Sequence, residues 1–459
     1  MRSSRLISLA LLGLDISAAV LAFVAVSYLR GLGGGGWDYI YALLTVPAVL
    51  MALAIYLIEG YKARTDMLSV DYASLHSIAL VGAMLCTLLL TFVFFRGGYE
   101  LQSSRFVIIV SFFALIPLTL GYRRMIYQAA TKTREARSLV FLGNRASCEA
   151  FLAECRKMGT PHPVIFSVVN EDSAVPFDSM TEIRLRPFRE VLDEVQQGRV
   201  AVEAIILRES ARELAPEISR RLVELYFGGV PTYTLELFHQ VYWRKIPLYR
   251  LNQTWLFQEG FQIAREPVFE RIKRVSDIVL ALLGLLLASP LILLGGLAVW
   301  IEDRGPVLFF QTRVGRNHQA FRLVKLRTMR PRADQGDLYT QPGDVRITRV
   351  GHFLRTTRLD EFPQLWNVLL GEMSLIGPRA EWDRLVETYE RDIPCYHFRH
   401  LVKPGITGWA QVNYPYGANL EDTTRKLEYD LYYIRHFSFR LDASIVLKTI
   451  HVMLFGKGR

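Results

Sequence analysis

Two adjacent carboxylates, Asp360 and Glu361, are the residues of this 459-residue chain whose type and spacing most directly suggest covalent chemistry. Arg355 and Arg358 precede them by about one helical turn. Neighbouring residues do not share a helix face, so the pair fits a helix start better than a helix surface. There, one carboxylate can act as a nucleophile and the other can bind Mg²⁺. The arginines can hold phosphate oxygens through paired N–H groups.

The same four residues also fit a solvated helix start that carries no chemistry. Acidic side chains in a first turn complement the positive end of the helix dipole. Charge alone does not distinguish this interpretation from the catalytic one, so the surrounding segments must also be considered.

More basic residues lie on both sides of the carboxylate pair. A hairpin is predicted from two β-like runs and the turn between them: residues 307–310, 315–318 and 321–325. Lys325 and Arg327 lie at its end, and Arg379 and Gln411 follow in two glycine-containing segments. A set of cations with this density suits a phosphorylated substrate.

An apolar segment at residues 278–301 is expected to hold this cluster at a membrane, because it is long enough to span one. Ser289 and Pro290 interrupt its middle, and the proline clashes with the carbonyl of Leu286, four residues earlier. A kinked spanning helix would place the later residues outside the cell, whereas a re-entrant helix would return them to the cytosol. The many arginines and lysines of residues 313–358 favour the cytosol, so re-entry is expected.

Two polar residues of this segment have expected roles. Ser289 is a candidate partner for the backbone groups that the break leaves free. Asp277, near the expected helix start, should complement the helix dipole.

Four further apolar runs predict a transmembrane region over residues 1–125. They lie at residues 6–29, 39–58, 74–95 and 106–122. Basic residues are more frequent at the ends that hold Arg2, Lys62 and Arg123, which places the N-terminus and the later domains in the cytosol. Asp15 lies inside the first run, where a role in helix packing is favoured over a role in transport.

Residues 137–249 have the composition of a soluble α/β domain. Three β-like runs alternate with polar helical stretches, which indicates a parallel, Rossmann-like sheet. The runs are residues 138–142, 164–169 and 204–207. A dinucleotide fingerprint needs three glycines after the first strand. Only Gly143 is present there, so NAD binding is disfavoured and a role in assembly or regulation is preferred.

The bulk composition agrees with a membrane-bound enzyme. Hydrophobic residues make up 51% of the chain, and the mean hydropathy is +0.20. The net charge of +10 suits nucleic acid, phosphorylated substrates or an anionic membrane surface. The apolar runs favour the last two, so no nucleic-acid partner is expected. The four cysteines form no CxxC pair, which argues against a disulfide framework and a zinc ribbon.

Taken in order, the motifs of residues 272–456 resemble those of the bacterial sugar transferase family, also called polyprenyl-phosphate hexose-1-phosphate transferases or monotopic phosphoglycosyl transferases. The resemblance rests on residues 273–277, 289–290, 325–329, 359–361, 377–379 and 404–413. The whole layout, with four helices and an α/β domain before these motifs, resembles the long members that initiate exopolysaccharide or O-antigen synthesis.

The resemblance implies a two-step transfer at the cytosolic face of the bacterial inner membrane. Asp360 would attack the β-phosphate of a UDP-sugar, release UMP and carry the sugar-phosphate until polyprenyl phosphate accepts it. Glu361, together with Asp360, would bind Mg²⁺. The implied substrate-binding residues are Lys325, Arg327, Arg355, Arg358, Arg379 and Gln411, and the implied membrane break is Ser289 and Pro290.

The predicted fold class is thus a multi-pass membrane protein with α and α/β parts. Transmembrane helices at residues 1–125 precede the Rossmann-like domain at 137–249 and a linker at 250–271. A mostly helical catalytic module at 272–459 contains the re-entrant helix at 276–301. A small α/β domain between membrane modules is compatible with a homodimer.

Three departures from the family pattern stand out. Leu326 lies where many members have phenylalanine, and Ala380 replaces a second proline; both are interpreted as packing changes. Residues 414–417 lie where many members have glycine directly, close to an expected substrate loop. This third departure leaves the identity of the sugar open.

Two other sets of residues have open interpretations. Cys395, His397 and His400 hint at a metal cluster, but without a fourth ligand a structural or lipid-interface role is favoured. Residues 437–455 fit an in-plane amphipathic helix or a helix packed within the module.

Two further functions compete with the transferase. An inert membrane scaffold is disfavoured by the intact pair of Asp360 and Glu361. A nucleotide-sugar epimerase or dehydratase built on the middle domain is disfavoured by the missing glycines.

Overall fold

The structure is a computed structural model that describes residues 2–30, 37–62, 65–94, 101–134, 137–168, 183–208, 214–248, 267–330, 344, 346–414 and 419–455. It divides into two compact units, Met1–Trp243 and Arg244–Arg459. Most of the predicted linker at residues 250–271 lies outside the described residues.

The first unit begins with four long helices: α1 (Arg2–Leu29), α2 (Trp37–Leu57), α3 (Val70–Phe94) and α4 (Leu101–Arg134). Within the described residues, three of them contain a segment long and apolar enough to cross a membrane: Leu6–Leu29, Val70–Thr91 and Arg105–Ala129. The shorter apolar stretch of α2 is Leu44–Leu57. The predicted helices are therefore present, although α4 continues about three turns past its predicted end.

A buried ion pair joins α1 to α4. The guanidinium of Arg123 donates to the carboxylate of Asp15 at 2.5 Å, and both side chains are fully buried. The hydroxyl of Tyr61 donates to the same carboxylate at 2.6 Å, as does that of Tyr122. These contacts agree with the packing role expected for Asp15.

A five-stranded parallel sheet follows, with the strand order β3-β2-β1-β4-β5. Its strands are β1 (Ser138–Leu142), β2 (Val164–Val168), β3 (Leu185–Pro187), β4 (Val202–Leu207) and β5 (Thr232–Thr234). Its helices are α5 (Arg145–Lys157), α6 (Phe188–Gln196), α7 (Pro216–Phe227) and α8 (Leu235–Phe238). The three predicted strands are confirmed, and β3 and β5 are too short to leave a pattern in the sequence.

The second unit contains a 37-residue helix, α9 (Pro267–Asp303), with Pro290 inside it. The hydroxyl of Ser289 donates to the carbonyl of Leu286 at 2.8 Å, which satisfies the group that the proline leaves without its helical partner. The expected role of Asp277 was wrong, because the helix begins ten residues earlier. Its carboxylate instead accepts the backbone N–H of Leu375 at 3.1 Å.

Two small sheets complete this unit. The antiparallel sheet has the order β7-β6-β9, and β8 pairs with β10 in parallel. These strands are β6 (Leu308–Val314), β7 (Ala320–Leu326), β8 (Ser374–Ile376), β9 (Glu381–Trp382) and β10 (Gly405–Thr407). The predicted hairpin corresponds to β6 and β7.

Six further helices surround these sheets: α10 (Arg349–Thr357), α11 (Leu365–Leu370), α12 (Asp383–Asp392), α13 (Trp409–Asn413), α14 (Leu420–Arg435) and α15 (Phe439–Phe455). The largest core cluster of the unit includes Trp409, Tyr433, Ile445 and also Ile246. Because residues 244–248 pack here, the second unit begins slightly before the predicted end of the middle domain.

Candidate active site

Arg358, whose backbone adopts the left-handed conformation, sets the position of the carboxylate pair. Helix α10 ends at Thr357, and the next residue, Arg358, has a φ of 59° that turns the chain into a 3-10 helix, Leu359–Gln364. Asp360 and Glu361 therefore lie in the first turn of a short helix, as the sequence predicted. The 3-10 helix continues directly into α11, which fixes the pair between two packed helices.

A small pocket lies beside this helix start. Its lining combines residues from the hairpin, the 3-10 helix and the strands that follow: Arg313, Leu323, Lys325, Glu361, Gln364, Met373, Arg379, Ala380 and Gly405. The pocket thus brings together three residues predicted for the site, Lys325, Glu361 and Arg379. The basic residues of its lining are Lys325, Arg379 and Arg313. The sequence did not predict Arg313 for this site.

The register of the hairpin explains how Arg313 enters the pocket. Arg313 lies opposite Phe321, and Lys325 lies opposite Phe309. Opposite residues of an antiparallel pair share a face, and every second residue returns to that face. Arg313, Leu323 and Lys325 consequently point to the same side. The predicted turn fixes the register of the two strands. Counting residues from this turn along both strands would have placed Arg313 on the same face as Lys325.

Close backbone contacts hold Arg379 at the opposite wall. The N–H of Gly405 donates to the carbonyl of Pro378 at 2.8 Å, and Arg379 forms an isolated bridge with Gly405. A Cβ on Gly405 would lie 2.0 Å from the backbone nitrogen of Gly377, so only glycine permits this approach. The two glycine-containing motifs therefore form one structural unit.

The carboxylate of Glu361 is held by two arginines. Its oxygens lie 3.4 Å from Arg379 and 3.6 Å from Arg358. Burial acts to raise the pKa of Glu361, but the positive charges of Arg379, Arg358 and Lys325 outweigh it and hold the pKa below its ordinary value. Glu361 is therefore ionised at neutral pH.

Asp360 has a different environment. Its side chain is only 6% exposed. Burial, followed by the negative charge of Glu361, raises the pKa of Asp360 to about 6, while Lys325, Arg355 and Arg379 oppose the rise. Burial and the charge of Arg313 lower the pKa of Lys325 to about 8. At pH 7 the carboxylate is still mostly ionised, poorly solvated and close to cations, as a nucleophile for a phosphate should be.

Four predicted substrate residues are not in the pocket lining. Arg327 forms an ion pair with Asp303 at the end of α9. Arg355 donates to the hydroxyl of Thr328 at 2.8 Å, and the amide of Gln411 donates to the carbonyl of Ile406 at 3.0 Å. The fourth, Arg358, contacts Glu361 from outside the lining. These contacts hold Arg327 and Gln411 in place, and their part in substrate binding stays a prediction.

Asn367 is a buried positioning residue that sequence reasoning did not single out. Its amide oxygen accepts the N–H of Val324 at 3.1 Å. Its amide nitrogen donates to the carbonyl of Arg322 at 2.8 Å and to Glu372 at 2.7 Å. These bonds tie α11 to β7 directly beside Lys325.

The arrangement has the groups that a transfer between phosphates requires. Asp360 can attack, the cations can offset the charge of a diphosphate, and the two carboxylates offer oxygen ligands for a divalent cation. The repulsion that Glu361 exerts on Asp360 is the kind of interaction that such a cation relieves.

Comparison with known proteins agrees with this chemistry. The family model for the bacterial sugar transferases matches residues 268–456, from the start of α9 to the end of the second unit. The chain is similar to a UDP-N-acetylgalactosamine-undecaprenyl-phosphate N-acetylgalactosaminephosphotransferase of Aeromonas hydrophila, with 39% identity over 269 residues, which cover 58% of this chain and 63% of the relative.

Two further relatives match a shorter part of the chain. A UDP-glucose:undecaprenyl-phosphate glucose-1-phosphate transferase of Escherichia coli (strain K12) is 45% identical over 183 residues, or 39% of each protein. The exopolysaccharide production protein PSS of Rhizobium leguminosarum bv. phaseoli is 40% identical over 195 residues, which cover 41% of this chain and 98% of that protein. The chain thus covers less than two thirds of the first two relatives and nearly all of the third.

Proposed function

This chain belongs to the bacterial sugar transferase family, and we propose that it transfers a sugar-1-phosphate from a UDP-sugar to undecaprenyl phosphate. The names of the Aeromonas and Escherichia relatives describe this reaction for two different sugars. The observation that carries the proposal is the buried Asp360 beside a pocket that holds Glu361, Lys325, Arg313 and Arg379.

The transfer takes place in two displacements at one phosphorus atom. A carboxylate oxygen of Asp360 attacks the β-phosphorus of the UDP-sugar, and the bond from that phosphorus to the bridging oxygen breaks. UMP leaves with the bridging oxygen, and the sugar-phosphate remains on Asp360. A phosphate oxygen of undecaprenyl phosphate then attacks the same phosphorus, which restores the carboxylate and yields undecaprenyl-diphosphate-sugar. No net proton transfer is required.

The residues that line the pocket, to which Asp360 itself does not belong, stabilise the charge of this reaction. Lys325 and Arg313 from one face of the hairpin, and Arg379 from the segment after β8, offset the negative charge of the diphosphate. Asp360 and Glu361 would hold Mg²⁺, which supplies Lewis-acid stabilisation of the phosphate oxygens when it is bound. The ion pairs of Glu361 with Arg379 and Arg358 keep its carboxylate ionised and oriented for that role.

The surface of α9 supports a position at the membrane. Many apolar side chains around Pro290 are exposed: Leu282, Leu283, Leu286, Leu287, Leu291, Leu293, Leu294 and Leu297. Both halves of the helix also pack on the same unit, Ala281 against the cluster with Leu323 and Val299 against Leu326. The exposed apolar surface extends along the helix from Ile272 to Ile301, as expected for a segment that lies in a bilayer.

We propose that α9 is re-entrant, with the active site at the cytosolic face of the inner membrane. Pro290 removes one backbone hydrogen bond at the middle of the helix. Glu270 pairs with Arg316 at 3.2 Å, and Asp303 pairs with Arg327, so both ends of the helix are tied to the same hairpin.

The first unit is proposed to anchor and regulate the enzyme. Its helices would cross the inner membrane, and its parallel sheet is interpreted as a Rossmann-like domain without nucleotide. In support, a backbone N–H at the N-terminus of α5, where a nucleotide phosphate would bind, already has a partner in the protein. The side chain of Asn144 accepts the N–H of Ser147 at 3.1 Å. We assign this domain a role in assembly, for which a homodimer is the simplest form.

Release of UMP tests the proposed function. The full chain in nanodiscs is incubated with undecaprenyl phosphate, Mg²⁺ and a panel of UDP-sugars. We expect UMP from at least one sugar, no turnover by Asp360→Asn, and wild-type turnover by Asp392→Asn, whose carboxylate is exposed and pairs with Arg391. Absence of UMP with every sugar, or normal turnover by Asp360→Asn, would reject the proposal and favour an inert scaffold.

A further inference from the structure

A second polar cluster lies outside the active-site pocket. His318, Glu390 and His400 place one nitrogen or oxygen atom each within 4.8 Å of one another. His318 belongs to the turn between β6 and β7, Glu390 to α12, and His400 to the 3-10 helix Tyr396–Leu401. Three separate elements therefore meet at this point.

The distances suit a small cation better than direct hydrogen bonds. Nδ1 of His318 lies 3.4 Å from Oε1 of Glu390, and Nε2 of His400 lies 3.9 Å from the same oxygen. The second distance is too long for a hydrogen bond. Ligand atoms around tetrahedral zinc lie about 3.3–3.6 Å apart, given bonds of 2.0–2.2 Å. The distance from His318 to Glu390 already fits this spacing, and Nε2 of His400 would have to move toward Oε1 of Glu390 by roughly half an ångström to match it.

His400 provides the independent indication of a ligand. Its side chain is 5% exposed, and its Nε2 is buried without a hydrogen-bond partner. The ring forms a hydrogen bond with the backbone of Gly315, and this bond must therefore come from Nδ1. A histidine whose Nδ1–H donates to a backbone carbonyl presents a bare Nε2 lone pair, which is the usual arrangement of a metal-binding histidine.

Nε2 of His400 and Oε1 of Glu390 face each other across 3.9 Å. Because Nδ1 of His400 carries the ring proton, both of these atoms are acceptors. A cation between them would satisfy both.

We propose that His318, Glu390 and His400 form a site for a divalent transition metal, with Zn²⁺ as the best match. Two imidazoles and one carboxylate are the ligand set that zinc accepts, whereas Mg²⁺ prefers oxygen ligands. The site is distinct from the carboxylate pair at Asp360. It differs from the set suggested by the sequence, since Cys395 and His397 are not in this group.

The metal would fasten the active-site hairpin. His318 lies in the turn of the hairpin, and Arg313 and Lys325 lie along its strands. Glu390 and His400 belong to elements that pack around the core residues Tyr389 and Tyr396. A bound ion therefore restrains the hairpin relative to the core, and we expect it to stabilise the fold rather than to touch the substrate.

Metal titration of the full chain tests this site. The EDTA-treated protein in detergent is titrated with Zn²⁺ in excess Mg²⁺, which keeps the active-site carboxylates occupied. We expect one Zn²⁺ per chain, at least about tenfold weaker binding by His318→Ala and by Glu390→Gln, and unchanged binding by His397→Ala. His397 is an exposed histidine of the same 3-10 helix and serves as the matched control.

Hydrogen exchange provides a second readout. Zn²⁺ should slow amide exchange in residues 308–326 of the wild type and leave the exchange of His318→Ala unchanged. Lack of stoichiometric Zn²⁺ binding, or equal binding by wild type and His318→Ala, would overturn the site. Asp360→Asn should bind Zn²⁺ like wild type, so this result is independent of whether the chain releases UMP.

Discussion

At the scale of single residues, the chemistry depends on the ionisation of Asp360. The carboxylate must be charged to attack phosphorus, and its pKa is raised to about 6 by burial and by Glu361. The rate of UMP release in a single turnover should therefore fall as the pH drops through about 6, by roughly tenfold per pH unit below it. A pH profile of single-turnover UMP release checks this. A rate that stays constant down to pH 4 would contradict the assignment.

The same burial makes Asp360 unfavourable for stability. Its pKa is about 6 in the folded protein and 3.8 ordinarily. A group with a raised folded pKa stabilises the fold only at low pH, and this contribution is lost as the pH rises through about 6. At pH 7, the charged side chain therefore costs up to about 3 kcal/mol.

Removal of this charge should stabilise the protein. We expect Asp360→Asn to raise the melting temperature at pH 7 by a few degrees while turnover is lost. Differential scanning fluorimetry at pH 7 and pH 4 measures the effect, which should shrink at pH 4. Asp392→Asn serves as the exposed control. A lower melting temperature for Asp360→Asn at pH 7 would contradict the burial argument.

At the scale of elements, Asn367 connects α11 to the hairpin. Asn367→Ala removes three hydrogen bonds and leaves partly buried backbone groups of Arg322 and Val324 without these partners. We expect a loss of roughly 1–3 kcal/mol in unfolding free energy, together with slower turnover, because Lys325 follows Val324 directly.

A helix cap outside the pocket lining provides the control for this variant. The side chain of Asn419 accepts the N–H of Asp422 at 2.7 Å, so Asn419→Ala should cost about 1 kcal/mol without loss of turnover. Thermal unfolding and UMP release are measured on both variants. Equal turnover by Asn367→Ala and Asn419→Ala would show that the hairpin is positioned by other contacts.

The elements also show what the sequence could predict. Strands β1, β2 and β4 are runs of apolar residues long enough to recognise, whereas β3 and β5 have three residues each. The carboxylate pair at a helix start followed from residue types alone. The ion pair of Arg327 with Asp303 did not, because the two residues are 24 positions apart and the sequence does not pair distant charges. Arg313 was missed because its face depends on the register of the hairpin.

At the scale of the whole molecule, re-entry of α9 predicts that its two ends lie on the same side of the membrane. Arg271, in the first turns of the helix, and Thr312, on β6 after it, are both exposed. In a background without the exposed Cys86, Arg271→Cys and Thr312→Cys should both resist an impermeant maleimide in intact cells. Both should react after permeabilisation.

These two positions serve as controls for each other. A spanning helix would make one of them reactive in intact cells and leave the other protected. That outcome would place the active site and the preceding domain on opposite sides of the membrane and would contradict the proposed re-entry of α9. The role of Asp360 is tested separately by UMP release.

The most direct test of the central claim is the detection of the covalent intermediate. The full chain is mixed with Mg²⁺ and its UDP-sugar in the absence of undecaprenyl phosphate, quenched rapidly and digested for mass spectrometry. The account predicts about one UMP per active site and a sugar-phosphate on the peptide that contains Asp360, which disappears when the acceptor is added. UMP release only in the presence of the acceptor, or an adduct on another residue, would contradict it.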